Sequence, residues 1–110
     1  MARFVKGEIV VLPFPFSDLT QSKKRPALVI AELKGNDVIL CQITSQWVKD
    51  EYGILIDEND FEQGSLKQRS HIRPNRIFTA DRSIILYSVG RLKKKRIEDV
   101  IEKLIEILKR

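Results

Sequence analysis

The sequence predicts a mainly β domain with one helix at its C-terminal end. Three observations carry this. Short apolar runs rich in β-branched residues, separated by Gly, Pro and polar stretches, fill the first three quarters of the chain. The hydrophobic period then becomes helical from Lys93 onward. The length, 110 residues, suits one domain spanning 1–110. Strands followed by a single helix imply a small, strongly bent antiparallel sheet that closes towards a barrel, with the helix packed against it.

The first strand is GEIVVL (7–12), where β-branched residues crowd together. The prolines that follow are expected to stop regular pairing, because proline has no N–H for a ladder. FSDLTQSKKR (16–25) reads as a long polar connection. ALVIAEL (27–33) and DVILCQI (37–43) read as two strands joined around Gly35 and Asn36, residues that tolerate a tight turn. YGILI (52–56) is a shorter strand and DENDFEQGSLKQ (57–68) a solvated loop. SHIRPNRIF (70–78) alternates imperfectly, and IILYSVG (84–90) closes the β part. After Lys93, the apolar residues Ile97, Val100, Ile101, Leu104, Ile105 and Leu108 form the stripe of an amphipathic helix.

Composition narrows the chemistry. With 43% hydrophobic and 32% charged residues, the chain reads as an ordinary globular protein, and a chain this size buries about 65% of its unfolded surface. Its single cysteine, Cys41, cannot pair within the chain, which points to a reducing, cytoplasmic compartment. The apolar start is short and broken by Pro13 and Pro15, so no signal peptide and no membrane span is expected. The net charge of +5 suits an anionic partner, although solubility alone would also account for it.

One His and one Cys exclude a multi-ligand His/Cys zinc site within the chain, and no metal or other cofactor is expected. Phe61 interrupts Asp57, Glu58, Asp60 and Glu62 where a calcium loop needs a ligand. The glycines form no phosphate-binding or dinucleotide motif. RSHIRP, around His71, shows no nucleophile-elbow pattern.

Arginines and hydroxyls remain. Arg25 follows Lys23 and Lys24. Arg69, Arg73, Arg76 and Arg82 gather around one late strand. Thr44 and Ser45 end a strand and are followed by Gln46 and Trp47. Guanidinium forks match phosphate oxygens, hydroxyls donate to them, and an exposed Trp stacks on a base. Each residue has a plainer alternative: Thr44 and Ser45 satisfying loop backbone, Trp47 in the core, the cations on a solvated face. Taken together they suit internal RNA cleavage. RNA carries its own nucleophile, the 2′-hydroxyl, so an enzyme needs neither a covalent nucleophile nor a metal. It must align the phosphate, stabilise transition-state charge and manage two protons.

GEIVVLPFPFSDLTQSKKRPALVI, then QITSQ, then GSLKQRSHIRPNRIFTAD, then VGRL and a terminal helix together resemble the PemK/MazF toxins of bacterial type II toxin–antitoxin systems. The blocks match in order and spacing from about Lys6 onward, and PFPFSDL is similar to one branch of the family. The resemblance implies an SH3-like barrel, a homodimer and metal-independent endoribonuclease activity on single-stranded RNA. It implies 2′,3′-cyclic phosphate and 5′-hydroxyl products, and a cognate antitoxin whose acidic segment blocks the RNA groove. It places Arg25 on the scissile phosphate, Thr44 as a phosphate-contacting hydroxyl and Arg73 as the later catalytic arginine. RNA contacts are then expected from Lys23, Lys24, Ser45, Gln46, Trp47, His71, Asn75 and Arg76.

The chain departs from the family pattern at one position. Many members carry an aspartate two residues after the late arginine, whereas here the order is Arg73, Pro74, Asn75. Asparagine hydrogen-bonds but takes no proton at neutral pH. A barrel that binds RNA or an antitoxin without cutting is therefore the alternative. A peptide-binding SH3-like adaptor is disfavoured, because the few aromatic residues are needed in the core.

Overall fold

The computed structural model of the chain describes residues 3–14 and 23–110. Among the described residues, seven strands form one sheet: β1 (Glu8–Phe14), β2 (Lys23–Glu32), β3 (Asp37–Thr44), β4 (Ile54–Ile56), β5 (Phe61–Gly64), β6 (Ser70–Asp81) and β7 (Tyr87–Leu92). Their spatial order is β4-β6-β3-β2-β1-β7-β5, and every pairing is antiparallel. Helix α1 (Lys94–Leu108) follows. The sheet curls into a half-barrel, as the strand-then-helix pattern requires.

The two faces of the sheet have different partners. Successive residues of a strand point to opposite sides, so Val38 and Leu40 join one buried cluster while Cys41 and Ile43 join another. Helix α1 covers the second cluster with buried Val100 and half-buried Ile97, Ile101 and Leu104. Each fully buried Leu or Ile there stabilises the fold by about 1.5–3 kcal/mol. Ile105 and Leu108, expected on the same stripe, are exposed. Arg96 ties the helix down by pairing with Asp60 and donating to the Leu55 carbonyl, and it also pairs with Asp99 of the same helix.

Several expectations need correction. Lys23, Lys24 and Arg25 belong to β2 and not to a loop, since they pair with Phe14, Pro13 and Leu12 of β1. Pro13 therefore lies inside a paired strand. Residues 16–22 of the expected polar connection, and most of PFPFSDL, lie outside the described residues. The acidic segment after β4 is structured: Asp57 caps a short 3-10 turn at Glu58–Asp60, and β5 follows. No local sequence pattern marks this strand, because its partner, β7, is remote in sequence and its pairing depends on glycine. Gly64 lies opposite Gly90 with φ +72°, and a Cβ there would run into the Val89 carbonyl. The β2–β3 hairpin forms where expected, with Gly35 at φ +81°.

Candidate functional site

On the face away from α1, apolar residues give way to polar ones along three neighbouring strands. In β2, Val29 and Ala27 are buried, and Arg25 comes next on the same side. In β3, Val38 and Leu40 are buried, and Gln42 and Thr44 come next. Ala27 stands opposite Gln42, and Gln42 opposite Arg73 of β6. Register thus assembles a polar set at one end of an otherwise apolar face.

The result is a cleft of about 590 Å³ lined by Phe14, Arg25, Gln42, Thr44, Gln46, Arg73, Arg76, Ile77 and Phe78. Phe14 and Phe78 meet edge to face at 5.1 Å and give it an aromatic wall. The three residues singled out for catalysis, Arg25, Thr44 and Arg73, all lie on this cleft. Arg76 adds a third guanidinium, so the cleft suits an anion.

Arg73 sits at a break in the β3–β6 ladder. Cys41 pairs with Ile77 and Gln42 with Arg73, so Pro74, Asn75 and Arg76 stand out of register. Proline fits such a place because it has no N–H to give to the ladder. Arg76 is carried to the cleft rim, while Asn75 is exposed and outside the lining.

Asp50 holds the Arg73 guanidinium: Arg73 Nη2 donates to Asp50 Oδ2 at 3.1 Å. Asp50 Oδ1 accepts from the amides of Tyr52 and Gly53, at 3.0 and 3.1 Å. Desolvation would raise the Asp50 carboxyl, but the Tyr52 amide, the Arg73 guanidinium and the Gly53 amide outweigh it and hold the group below the usual carboxylate range.

The remaining expected contacts spread more widely. Thr44 Oγ1 accepts from the Gln46 amide at 3.1 Å, a local turn bond that leaves the hydroxyl hydrogen free to donate. Trp47 is 78% exposed and so is not a core residue. Its ring meets His71 edge-on at 5.7 Å, and His71 stands opposite Thr44. Ser45, Lys23 and Lys24 are exposed and do not line the cleft. The four late arginines do not form one cluster. Arg82 pairs with Glu32 and donates to the Gly35 carbonyl, and Arg69 lines a separate depression.

Gln42, the aromatic wall and Asp50 were not foreseen. A polar residue two before Thr44 on an inward-facing strand was the available signal for Gln42. Nothing near Asp50 in sequence marks it, because its role depends on a loop folding back onto β6. Among the described residues, no group of His, Cys, Asp and Glu is placed to hold a metal ion, and no helix is long and apolar enough to cross a membrane.

Residues 5–108 match the family model described as PemK-like, MazF-like toxin of type II toxin-antitoxin system. A comparison with curated proteins finds no match. Among solved structures, MazF from Deinococcus radiodurans is similar at TM-score 0.78 and 20% identity, covering 100% of both chains. An endoribonuclease from a mycobacterial species, solved in complex with its cognate antitoxin, is similar at TM-score 0.76 and 11% identity, covering 96% of this chain and 95% of that one. These likenesses establish the fold.

Proposed function

The chain belongs to the PemK-like, MazF-like toxins of type II toxin–antitoxin systems, and from that premise we propose that it is a metal-independent endoribonuclease acting on single-stranded RNA. One observation carries this reading: Arg25, Thr44 and Arg73, from three different strands, line the same cleft. In the proposed reaction the 2′-oxygen attacks the neighbouring phosphorus and the bond to the 5′-oxygen breaks. The 2′-hydroxyl gives up its proton and the leaving oxygen gains one. A 2′,3′-cyclic phosphate and a 5′-hydroxyl result. Arg25 and Arg73 stabilise the extra negative charge on the phosphoryl oxygens, and Thr44 donates a hydrogen bond to one of them. Arg25 suits this work because its backbone is restricted by Pro26 and paired with β1.

The exposed Trp47 provides a stacking surface for a base, and His71 buttresses it. Arg76, Gln46 and Ser45 flank the path, with Lys23 and Lys24 attracting the backbone. The same basic cleft would accept an acidic antitoxin segment, and the mycobacterial relative was solved in complex with its cognate antitoxin. A two-fold homodimer in the cytoplasm completes the reading.

The competing reading, a barrel that binds RNA without cutting, draws on Asn75, an amide where the family resemblance leads to the expectation of an acid. Incubating the purified protein with mixed single-stranded RNA in EDTA decides between them. Cleavage that leaves cyclic phosphate and 5′-hydroxyl ends is the expected result. Retention of intact RNA by the protein would establish the competing reading.

A further inference from the structure

We propose that Asp50 is the positioning residue of this site, holding Arg73 in its working orientation, and that Arg110 secures the loop that carries Asp50. The inference rests on the ribonuclease reading and assigns residues beyond it.

The backbone supports Arg73 poorly on one side, because the β3–β6 ladder breaks immediately after it. A long, rotamer-rich side chain at such a place needs a separate hold. Asp50 supplies it. One carboxylate oxygen is occupied by the amides of Tyr52 and Gly53, which fix the plane of the group. The other takes a single Nη2 hydrogen of Arg73 at 3.1 Å, leaving the Nη1 side of the fork for a phosphate. Arg73 Nε is buried with no hydrogen-bond partner among the described residues, so the head is partly desolvated, and Asp50 is the carboxylate paired with it.

The loop is secured from outside. Arg110, just past α1, pairs with Glu51 at 2.6 Å, and its guanidinium lies 4.9 Å from the centre of the Tyr52 ring. Tyr52 is the residue whose amide grips Asp50. A chain of contacts therefore runs from the end of the helix, on one face of the sheet, to Arg73 on the other. Asp50 is ill suited to be the general base itself, since its partners stabilise the ionised form and reduce its basicity.

The test is single-turnover cleavage by the full chain over a range of RNA concentrations. Asp50→Asn keeps an oxygen for the two amides and removes the charge that holds Arg73. Misplacing a catalytic group by about 1 Å costs up to about 10²-fold, so a fall of about 10-fold or more in the maximal rate is expected. Apparent RNA affinity should be unchanged or tighter, because a negative charge has left a phosphate site. In an Arg73→Ala background, Asp50→Asn should add no further loss. Arg110→Ala should slow cleavage only about 2- to 5-fold, as exposed ion pairs and cation–π contacts are weak. An unaltered maximal rate, or an equal loss with and without Arg73, would overturn the proposal.

A second measurement does not need cleavage. The guanidinium protons of Arg73, followed by ¹⁵N-edited NMR, should show hindered rotation in the parent and free averaging in Asp50→Asn. If the parent binds RNA but never cuts it, the ribonuclease reading fails, and the NMR result still decides whether Asp50 holds Arg73. Identical Arg73 signals in parent and variant would overturn the pairing whatever the activity.

Discussion

Gln42 faces Arg73 across β3 and β6, and directly beyond that pair three residues of β6 leave the ladder. An intact ladder there would continue the alternation of the core face. The break instead lets Arg73 and Arg76 both reach one cleft, opposite Arg25 and Thr44. The site therefore lies where regular pairing ends, on a sheet whose other face is held by α1.

Arg25→Ala should lower single-turnover cleavage by about 10²-fold or more, the usual loss for a group that stabilises transition-state charge. Arg25→Lys keeps the charge but not the two-pronged grip, so it should restore only part of the rate. Full activity in a normally folded Arg25→Ala protein would remove Arg25 from the mechanism.

Trp47 is 78% exposed, so its removal should leave thermal stability unchanged. A base stacked on an aromatic ring is worth about 1–3 kcal/mol, and Trp47→Ala should weaken RNA binding by about 5- to 150-fold. Trp47→Phe should recover most of this. Because Trp47 is the single tryptophan of the chain, anisotropy of a fluorophore-labelled RNA carrying a non-reactive 2′-deoxy position measures the effect without cleavage.

Asn75 is exposed and outside the cleft lining. Asn75→Asp should therefore raise the cleavage rate by less than about 10-fold, below the 10²–10⁴-fold typical of an essential general base. An acidic limb should appear in its pH profile as the new carboxylate titrates. Cleavage by both proteins across pH 4.5 to 9 provides the comparison, and an inert parent switched on by the substitution would identify position 75 as the site of the base.

Burial pushes the Cys41 thiol up to about 12 from 9.0. Between those values the unfolded chain loses this proton while the folded one keeps it. The Cys41 contribution to stability is thus complete below pH 9 and is lost as pH rises towards 12. Denaturant unfolding at pH 7.5 and 10 should show a smaller alkaline loss for Cys41→Ala than for the parent. The native thiol should also resist alkylation until the protein unfolds.

Lys93 occupies the N-cap of α1 without a side-chain hydrogen bond, and Lys94 and Lys95 follow where the helix dipole disfavours cations. Lys93→Asp should stabilise the protein by about 0.5–2 kcal/mol, the usual worth of a cap. Because α1 lies on the face away from the cleft, neutralising Lys93, Lys94 and Lys95 together should leave cleavage within about 3-fold at physiological salt. A large loss recovered at low salt would place RNA on the helix.

What the sequence determined by itself is local. Apolar period and turn residues mark β1, the β2–β3 hairpin, β6 and α1, because side-chain alternation and a glycine turn act over a few neighbouring residues. Arg25, Thr44 and Arg73 were singled out through the motifs that carry the family resemblance, and strands β2, β3 and β6 bring them to one cleft. Tertiary structure decided the rest. Strand β5 exists only because β7 returns beside it, and Lys23 to Arg25 are extended only because β1 satisfies their backbone. Arg82 and Arg69 leave the expected cluster because strand length and register, not nearness in sequence, set which side chains share a surface. Asp50 reaches Arg73 only after a loop folds back across the sheet edge. Backbone hydrogen bonds and ion pairs between segments distant in the chain have no local signature, so these parts of the site emerge only when the sheet closes.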